Sequence, residues 1–155
     1  MLKNLKKRLK DQRGLTLVEL LAVVVILGII AAIAVPSIGN IIAKSKYDAA
    51  KADAIQVLNS TNLYIASSGV KTATISSTDS EATHKLAEYL EDVTPEGLKS
   101  YTVTITNGKA TISAISNHPA KKVDAPTFIG GISDINKLTY DNPGTTPDPN
   151  PTPGS

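Results

Sequence analysis

The stretch that decides the fold is residues 15–36, LTLVELLAVVVILGIIAAIAVP, in which Glu19 is the one charged side chain. The uncharged run extends beyond it, since the 24 residues from Leu20 to Ala43 carry no charge. As an α-helix this run is about 36 Å long at ~1.5 Å per residue, which exceeds the ~30 Å hydrocarbon core of a bilayer. The sequence therefore predicts a membrane-spanning helix over residues 15–43.

A basic leader, residues 1–14, precedes this helix. It holds six of the 16 Lys and Arg residues and one of the 14 Asp and Glu residues, so the rest of the chain has a net charge of −3. Basic flanks of membrane helices stay in the cytoplasm, which predicts that the C-terminal part lies outside. Because Arg13 is the last arginine and aromatic residues are few, direct DNA binding is not expected.

Residues 44–66 are predicted to continue the helix in amphipathic form, ending near Gly69. Small alanines are frequent in this segment, and its charged side chains are expected to solvate it: Lys44, Lys46, Asp48, Lys51 and Asp53. A stripe at helical spacing is expected to be buried under a sheet. Its members are Ile55, Leu58, Asn62 and Ile65.

Residues 67–140 are predicted to form a polar globular head, with a short helix at about Ser80–Val93. The strongest local signal is Asn107-Gly108 between the alternating runs 101–106 and 109–115, which predicts a hairpin with a two-residue turn. This register places Thr106 opposite Lys109 and gives the sheet one apolar face that can lie on the long helix. A third strand is expected around residues 137–140.

The fold class expected from these elements is α+β: a long N-terminal helix, with a short helix and a small antiparallel sheet packed on its C-terminal half. Residues 141–155 contain five prolines and are expected to form a disordered tail. The chain has no cysteine, so packing, helix anchoring or assembly must stabilise the head.

Two ordinary interpretations of the N-terminus compete with a third. A secretory signal peptide could be cleaved after the small residues 32–34, although Pro36 would then be the second residue after the cut. A plain membrane anchor explains the length and orientation of the helix. Neither interpretation explains Glu19, whose carboxylate costs on the order of a few kcal/mol inside an apolar helix unless it is paired.

The sequence QRGLTLVE at residues 12–19, after a basic leader and before the apolar run, resembles the class III signal of type IV prepilins and pseudopilins. The resemblance covers about residues 7–40. It implies cleavage by a prepilin peptidase between Gly14 and Leu15 and N-methylation of Leu15. It also implies that Glu19, then the fifth residue, pairs with the N-terminal amine of a neighbouring subunit during assembly. Leu15 departs from the phenylalanine that is commonest at this position.

Gly28 and Pro36 occupy positions where such proteins carry helix-weakening residues. Glycine costs ~1 kcal/mol relative to alanine in a helix, and proline removes a backbone hydrogen bond. Both residues are also common in ordinary membrane helices. The resemblance implies that the segment between them can unwind as the filament assembles.

The function expected is that of a structural subunit, the major pilin, of a homo-oligomeric surface filament. The partners implied are the prepilin peptidase, an assembly platform with its ATPase, and the cytoplasmic membrane that holds the precursor. A competence or secretion pseudopilin and a non-polymerising adhesive domain are the alternatives. His84 and His118 lack the neighbours of a catalytic site, so no enzyme activity, cofactor or metal is expected. The absence of cysteine suits a Gram-positive source.

Overall fold

The computed structural model describes residues 16–79, 86–90 and 95–144. Two helices and four strands lie within them, and the chain divides into two compact units between Asn40 and Ile41. The elements are α1 (Leu17–Ser68), β1 (Thr72–Ser76), β2 (Leu98–Thr106), β3 (Lys109–Ser116), β4 (Thr127–Gly130) and α2 (Ile132–Lys137).

The first unit contains the apolar start of α1. Its large aliphatic side chains, from Leu17 to Ile38, are 49–86% exposed, and the first buried residue of α1 is Tyr47. The helix runs on through Gly28 and Pro36 without a break. By length and composition α1 could cross a membrane.

The second unit is built on a four-stranded antiparallel sheet with the order β1-β2-β3-β4. The predicted hairpin register is confirmed, because Thr106 pairs with Lys109 and Val103 with Ile112. The turn residues Asn107 and Gly108 have φ values of 53° and 73°. Positive φ at both positions is what a turn that follows the twist of its strands requires.

One face of this sheet packs on the C-terminal part of α1. Val103, Ile105 and Ile112 point toward the helix and are buried with Val57 and Leu58 in one core. The other face carries rows of hydroxyl side chains, such as Thr74, Thr104 and Thr111, in paired positions. The architecture is therefore α+β, with the long helix and the small antiparallel sheet that the sequence predicts, together with the short helix α2.

The buried face of α1 differs from the predicted stripe. Leu58 is buried and Ile55 and Ile65 are half-buried, but Asn62 is exposed. Small side chains take the place of large ones in this face and let the sheet approach closely. The buried residues of α1 are Tyr47, Ala50, Ala54, Val57, Leu58, Ser60 and Thr61.

The strand predicted around residues 137–140 is wrong, because Lys137 ends α2 and Thr139 forms only an isolated bridge with Asn142. The Lys51 amine donates hydrogen bonds to the carbonyl oxygens of Asn136 and Leu138, at 3.1 and 2.8 Å. These bonds tie the segment to α1 and use acceptors that a strand would need. The strands β1 and β4 and the helix α2 were not predicted.

Two further predictions fall at the borders of the described residues. The helix expected at Ser80–Val93 lies mostly outside them, although Leu86 and Leu90 are described and buried. The first residues of the predicted tail, 141–144, belong to the described head. Asp141 Oδ1 forms an ion pair with Lys121 Nζ at 2.7 Å, and Pro143 is buried. Residues 145–155 lie outside the described part.

Candidate functional site

The N-terminal end of α1 is closed by two side chains that bond each other's backbone. Glu19 Oε2 accepts hydrogen bonds from the Thr16 backbone N–H and from Thr16 Oγ1, both at 2.9 Å. In return, the Glu19 backbone N–H donates to Thr16 Oγ1 at 3.3 Å. This is a capping box, which satisfies N–H groups that the first turn of a helix leaves without partners.

The capping box revises the expectation that Glu19 has no partner before assembly. The signal was present in the sequence, because threonine followed three residues later by glutamate before an apolar run is the pattern of a capping box. However, neutral donors do not cancel the charge of a carboxylate. The ion pairs found in the described residues, Lys121–Asp141 and Lys137–Asp134, do not involve Glu19.

The surface around Glu19 is apolar. Leu17, Val18 and Leu20 are 55–86% exposed, and aliphatic side chains cover every side of the helix beyond them. Lipid or the apolar helix of another molecule can cover such a surface, but either one raises the cost of an uncompensated carboxylate. Two bonds reach Oε2, and the second oxygen, Oε1, provides a natural acceptor for a cation.

Residues 9–35 match the family model described as the prokaryotic N-terminal methylation motif. This range contains Gly14, Leu15, Glu19 and Gly28 and ends just before Pro36. The chain carries the class III signal of type IV pilins and pseudopilins. The resemblance noted in the sequence is thereby confirmed, and no solved structure matches the chain.

The motif supports a type IV pilin- or pseudopilin-like precursor, and the apolar α1 that follows it is long enough to anchor the chain in a membrane. It implies processing by a prepilin peptidase and contact with a membrane-bound assembly machinery. Gly14 and Leu15, the residues on either side of the predicted cleavage, lie outside the described part of the structure. Thr16 is the first described residue, so the capping box lies directly after the predicted cut.

Gly28 and Pro36, the predicted weak points of the precursor's helix, both lie in the exposed part of α1. No heavy atom approaches within 4 Å of the position where a Cβ of Gly28 would be, apart from the helix's own nearby backbone. Packing within the chain therefore does not explain the choice of glycine there. Unwinding between Gly28 and Pro36 during assembly stays a prediction.

The remaining candidate residues of the precursor lie in the head and do not converge. The His118 backbone N–H and C=O both bond to Ser116 Oγ, at 3.0 and 2.8 Å, which makes this segment a local turn. Among the described residues, no group of three or more His, Asp or Glu side chains is placed to hold a metal ion. His84 lies outside the described residues.

Proposed function

We propose that this precursor becomes the major structural subunit of a type IV pilus-like surface filament, polymerised through the exposed part of α1. The observation that carries the proposal is the combination of two features in one helix. An apolar surface that no described residue covers begins with a carboxylate whose charge has no counter-ion among those same residues. Packing against further copies of α1 would cover the first feature, and a cation at Glu19 would neutralise the second.

The processing step supplies that cation. Cleavage between Gly14 and Leu15 removes a leader of net charge +5 and leaves one amine on Leu15, which methylation keeps positive. When α1 of one subunit is staggered along α1 of the next, the Leu15 amine of one comes close to Glu19 of the other. A buried pair of opposite charges costs far less than either charge alone, so the pairing favours one register of addition.

The order of events follows from this chemistry. The precursor waits in the cytoplasmic membrane with its head outside, and the assembly platform and its ATPase then move subunits into an extracellular filament. The head has a structural role, without catalysis, cofactor or direct DNA binding. A pseudopilin of a competence or secretion apparatus would use the same helix but would form only short assemblies.

The test combines mass spectrometry of the mature N-terminus with electron microscopy of cells lacking the protein. A methylated Leu15 as first residue, together with loss of long surface filaments in the deletion strain, is the expected result. An N-terminus at Val35 would indicate ordinary secretion, and an intact Met1 would indicate a plain anchor. A methylated Leu15 with unchanged long filaments would instead assign the chain to a pseudopilus or a minor subunit.

A further inference from the structure

Two tight turns of the head, residues 120–123 and 139–142, lie side by side. Each is closed by an isolated bridge between its first and last residues. The Lys121 backbone N–H donates to the Tyr140 carbonyl oxygen at 3.2 Å, which joins the two turns. The Tyr140 ring packs edge-on against the Tyr47 ring of α1, with the ring centroids 6.0 Å apart. Both turns therefore lie beside the point where the buried face of α1 begins.

This end of the head is also the end nearest to the apolar run. The run stops at Ala43, and Lys44, the next residue, is the first charged one. Its 24 residues extend about 36 Å at ~1.5 Å per residue. That length exceeds the ~30 Å hydrocarbon core of a bilayer but not the ~40–45 Å that includes the headgroups. When the run spans a membrane, Lys44 therefore lies among the headgroups, and Tyr47 with the two turns lies just beyond.

Lys122 has a backbone conformation that disfavours lysine. Its φ is 69°, at the third position of the turn 120–123, in which the Val123 N–H donates to the Ala120 carbonyl oxygen at 3.2 Å. Glycine and asparagine are the residues that tolerate a positive φ at this position best. The geometry of the turn thus gives no reason for a lysine. An exposed lysine at such a position points to a role for its charge.

The charges at this end of the head leave two lysines without a counter-ion. Lys121 Nζ pairs with Asp141 Oδ1 at 2.7 Å, on the second turn. That pair and one within α2 are the ion pairs of the described residues, so Lys44 and Lys122 have none there. The hydrogen bond and charge of Lys121, followed by the charge of Lys44, lower the pKa of Asp141. Lys44 therefore lies near the surface that the two turns form.

The two other aspartates close in sequence do not cancel these charges by pairing. Asp48 is one helical turn beyond Lys44, which places it about 6 Å farther along α1, away from the apolar run, at ~1.5 Å per residue. Asp124 is exposed and follows the turn 120–123 directly. Neither carboxylate forms an ion pair with a described residue. The ammonium groups of Lys44 and Lys122 are thus available to an anion from outside the chain.

We propose that Lys44, Lys121 and Lys122 form a cationic surface that rests on the anionic phospholipid headgroups of the membrane that holds the precursor. The lysine ammonium is a compact charge that binds phosphate groups, and an anionic membrane surface attracts lysines that lie close to it. The position of Lys44 directly after the apolar run brings this surface to the headgroups. The contact holds the head against the membrane before assembly. It needs no polymerisation and so goes beyond the proposed filament function.

The test uses the full-length precursor in vesicles of phosphatidylcholine, with and without phosphatidylglycerol. Because the chain has no cysteine, Asn142→Cys can carry a single fluorophore on the second turn. Lipids with a nitroxide on the headgroup quench this fluorophore when it lies close to them. We expect quenching to be at least threefold stronger with phosphatidylglycerol than without it.

The matched control label is placed at Lys71→Cys, far from the two turns. Lys71 is exposed and follows the end of α1 at Ser68, which lies about 36 Å along the helix from Lys44 at ~1.5 Å per residue. Quenching of this label should be weak in both kinds of vesicle. Equal quenching of the two labels would mean that the head has no fixed contact with the membrane, and the proposal would be overturned.

Charge variants separate the role of the lysines from a structural one. Lys122→Asn removes the charge but suits the positive φ, so the unfolding temperature of the head should stay the same or rise. The phosphatidylglycerol-dependent quenching should nevertheless fall at least twofold, and it should vanish when Lys44→Gln is added. Lys71→Asn, which removes a lysine charge elsewhere on the head, should leave it unchanged.

Salt provides a further arm, because ~1 M salt shortens the Debye length to about 3 Å and should weaken the effect of phosphatidylglycerol. Equal quenching in the two lipid compositions would mean that anchoring alone brings the turns near the membrane. An effect of phosphatidylglycerol that persists in the variant with both Lys44→Gln and Lys122→Asn would assign the contact to other groups. Either result overturns the proposal.

Discussion

In the first half of α1 large aliphatic side chains are exposed, whereas in the second half many of the buried side chains are small. Residues 17–42 are mostly Leu, Ile and Val and are exposed almost throughout, whereas the buried face that begins at Tyr47 contains Ala50, Ala54, Ser60 and Thr61. The large aliphatic side chains of the first half thus lie outside, whereas the buried face of the second half combines Tyr47, Val57 and Leu58 with small or hydroxyl-bearing side chains. The reason is that only the second half has a sheet to pack against.

This difference teaches that the two halves are adapted to different partners. The exposed half offers a uniform aliphatic surface, which suits lipid and, in the proposed filament, other copies of the same helix. The buried half is adapted to one particular sheet, at atomic detail, through small residues that allow close approach. Substitutions should therefore affect assembly in the first half and stability of the head in the second.

The largest effect is expected at Glu19. Glu19→Ala removes both the charge and the acceptor of the capping box, so filament yield should fall by at least tenfold while cleavage after Gly14 continues. The control is Thr16→Ala, which breaks the cap but keeps the carboxylate, at a cost of about 1 kcal/mol to the helix end. Filament yield by electron microscopy and N-terminal mass spectrometry provide the two readouts. Normal filaments in Glu19→Ala would contradict the role of the charge.

In the buried half, Gly97→Ala should have the largest effect on stability. A Cβ at Gly97 would lie 2.7 Å from the Cα of Ala50, and the Gly97 N–H donates to Asp53 Oδ2 at 3.1 Å. The sheet would have to move away from α1, which should lower the free energy of unfolding by about 1–3 kcal/mol. Thermal unfolding followed by circular dichroism measures this loss.

The control for Gly97→Ala lies in the exposed half of α1. Gly39→Ala adds the same methyl group, but no heavy atom outside the local helix backbone lies within 4 Å of the new Cβ. It should leave the unfolding temperature of the head unchanged or raise it slightly, because alanine favours the helix. If both variants lowered this temperature equally, the contrast between the two halves would be wrong.

The sequence predicted those features whose causes are local. The turn residues Asn107 and Gly108 and the alternation around them determine the hairpin register, and the uncharged run determines the exposed helix. The capping box of Thr16 and Glu19 also depends only on residues close in the sequence. It was not predicted, because only the charge of Glu19 was considered and not its capacity to accept hydrogen bonds.

The features that sequence reasoning missed depend on tertiary contacts. The close approach of Gly97 to Ala50 joins residues far apart in the chain, and alanines give little indication of which helix face is buried. The segment after Lys137 was predicted as a strand from its local composition, whereas the amine of Lys51, from a distant part of the chain, bonds its carbonyl groups. Such a bond cannot be read from either segment alone.

The hydrogen bonds from the Lys51 amine to residues 136 and 138 give the third prediction. Lys51→Met keeps the aliphatic stem but removes the donor to Asn136 and Leu138, which should destabilise the head by about 1–3 kcal/mol. Amide exchange in residues 132–138 should become faster than in the rest of the head. Lys46→Met, at an exposed site on the same helix, should change neither quantity. Equal exchange rates in the two variants would show that the hydrogen bonds of Lys51 do not stabilise residues 132–138.

The smallest effect is expected at Tyr47, which ends the exposed half and begins the buried one. Its side chain is fully buried against the rings of Phe128 and Tyr140, and its hydroxyl has no hydrogen-bond partner among the described residues. Burial, aided by the charge of Asp48, raises the pKa of Tyr47 from 10.0 to about 12. Tyr47→Phe removes an unsatisfied polar group and should change stability at neutral pH by less than about 1 kcal/mol, in the stabilising direction.

The pH dependence makes the Tyr47 prediction specific. Because the pKa is higher in the folded state than in the unfolded state, the stability linked to the neutral hydroxyl is complete below pH 10 and is lost as the pH rises toward about 12. The wild-type head should therefore lose stability over this interval more steeply than the Tyr47→Phe variant, measured by denaturant unfolding at a series of pH values. Tyr64→Phe, which removes a hydroxyl from a half-buried ring farther along α1, serves as the control. Equal slopes in wild type and Tyr47→Phe would mean that the first buried residue of α1 is reached by water, and the border between the two halves would then lie later in the helix.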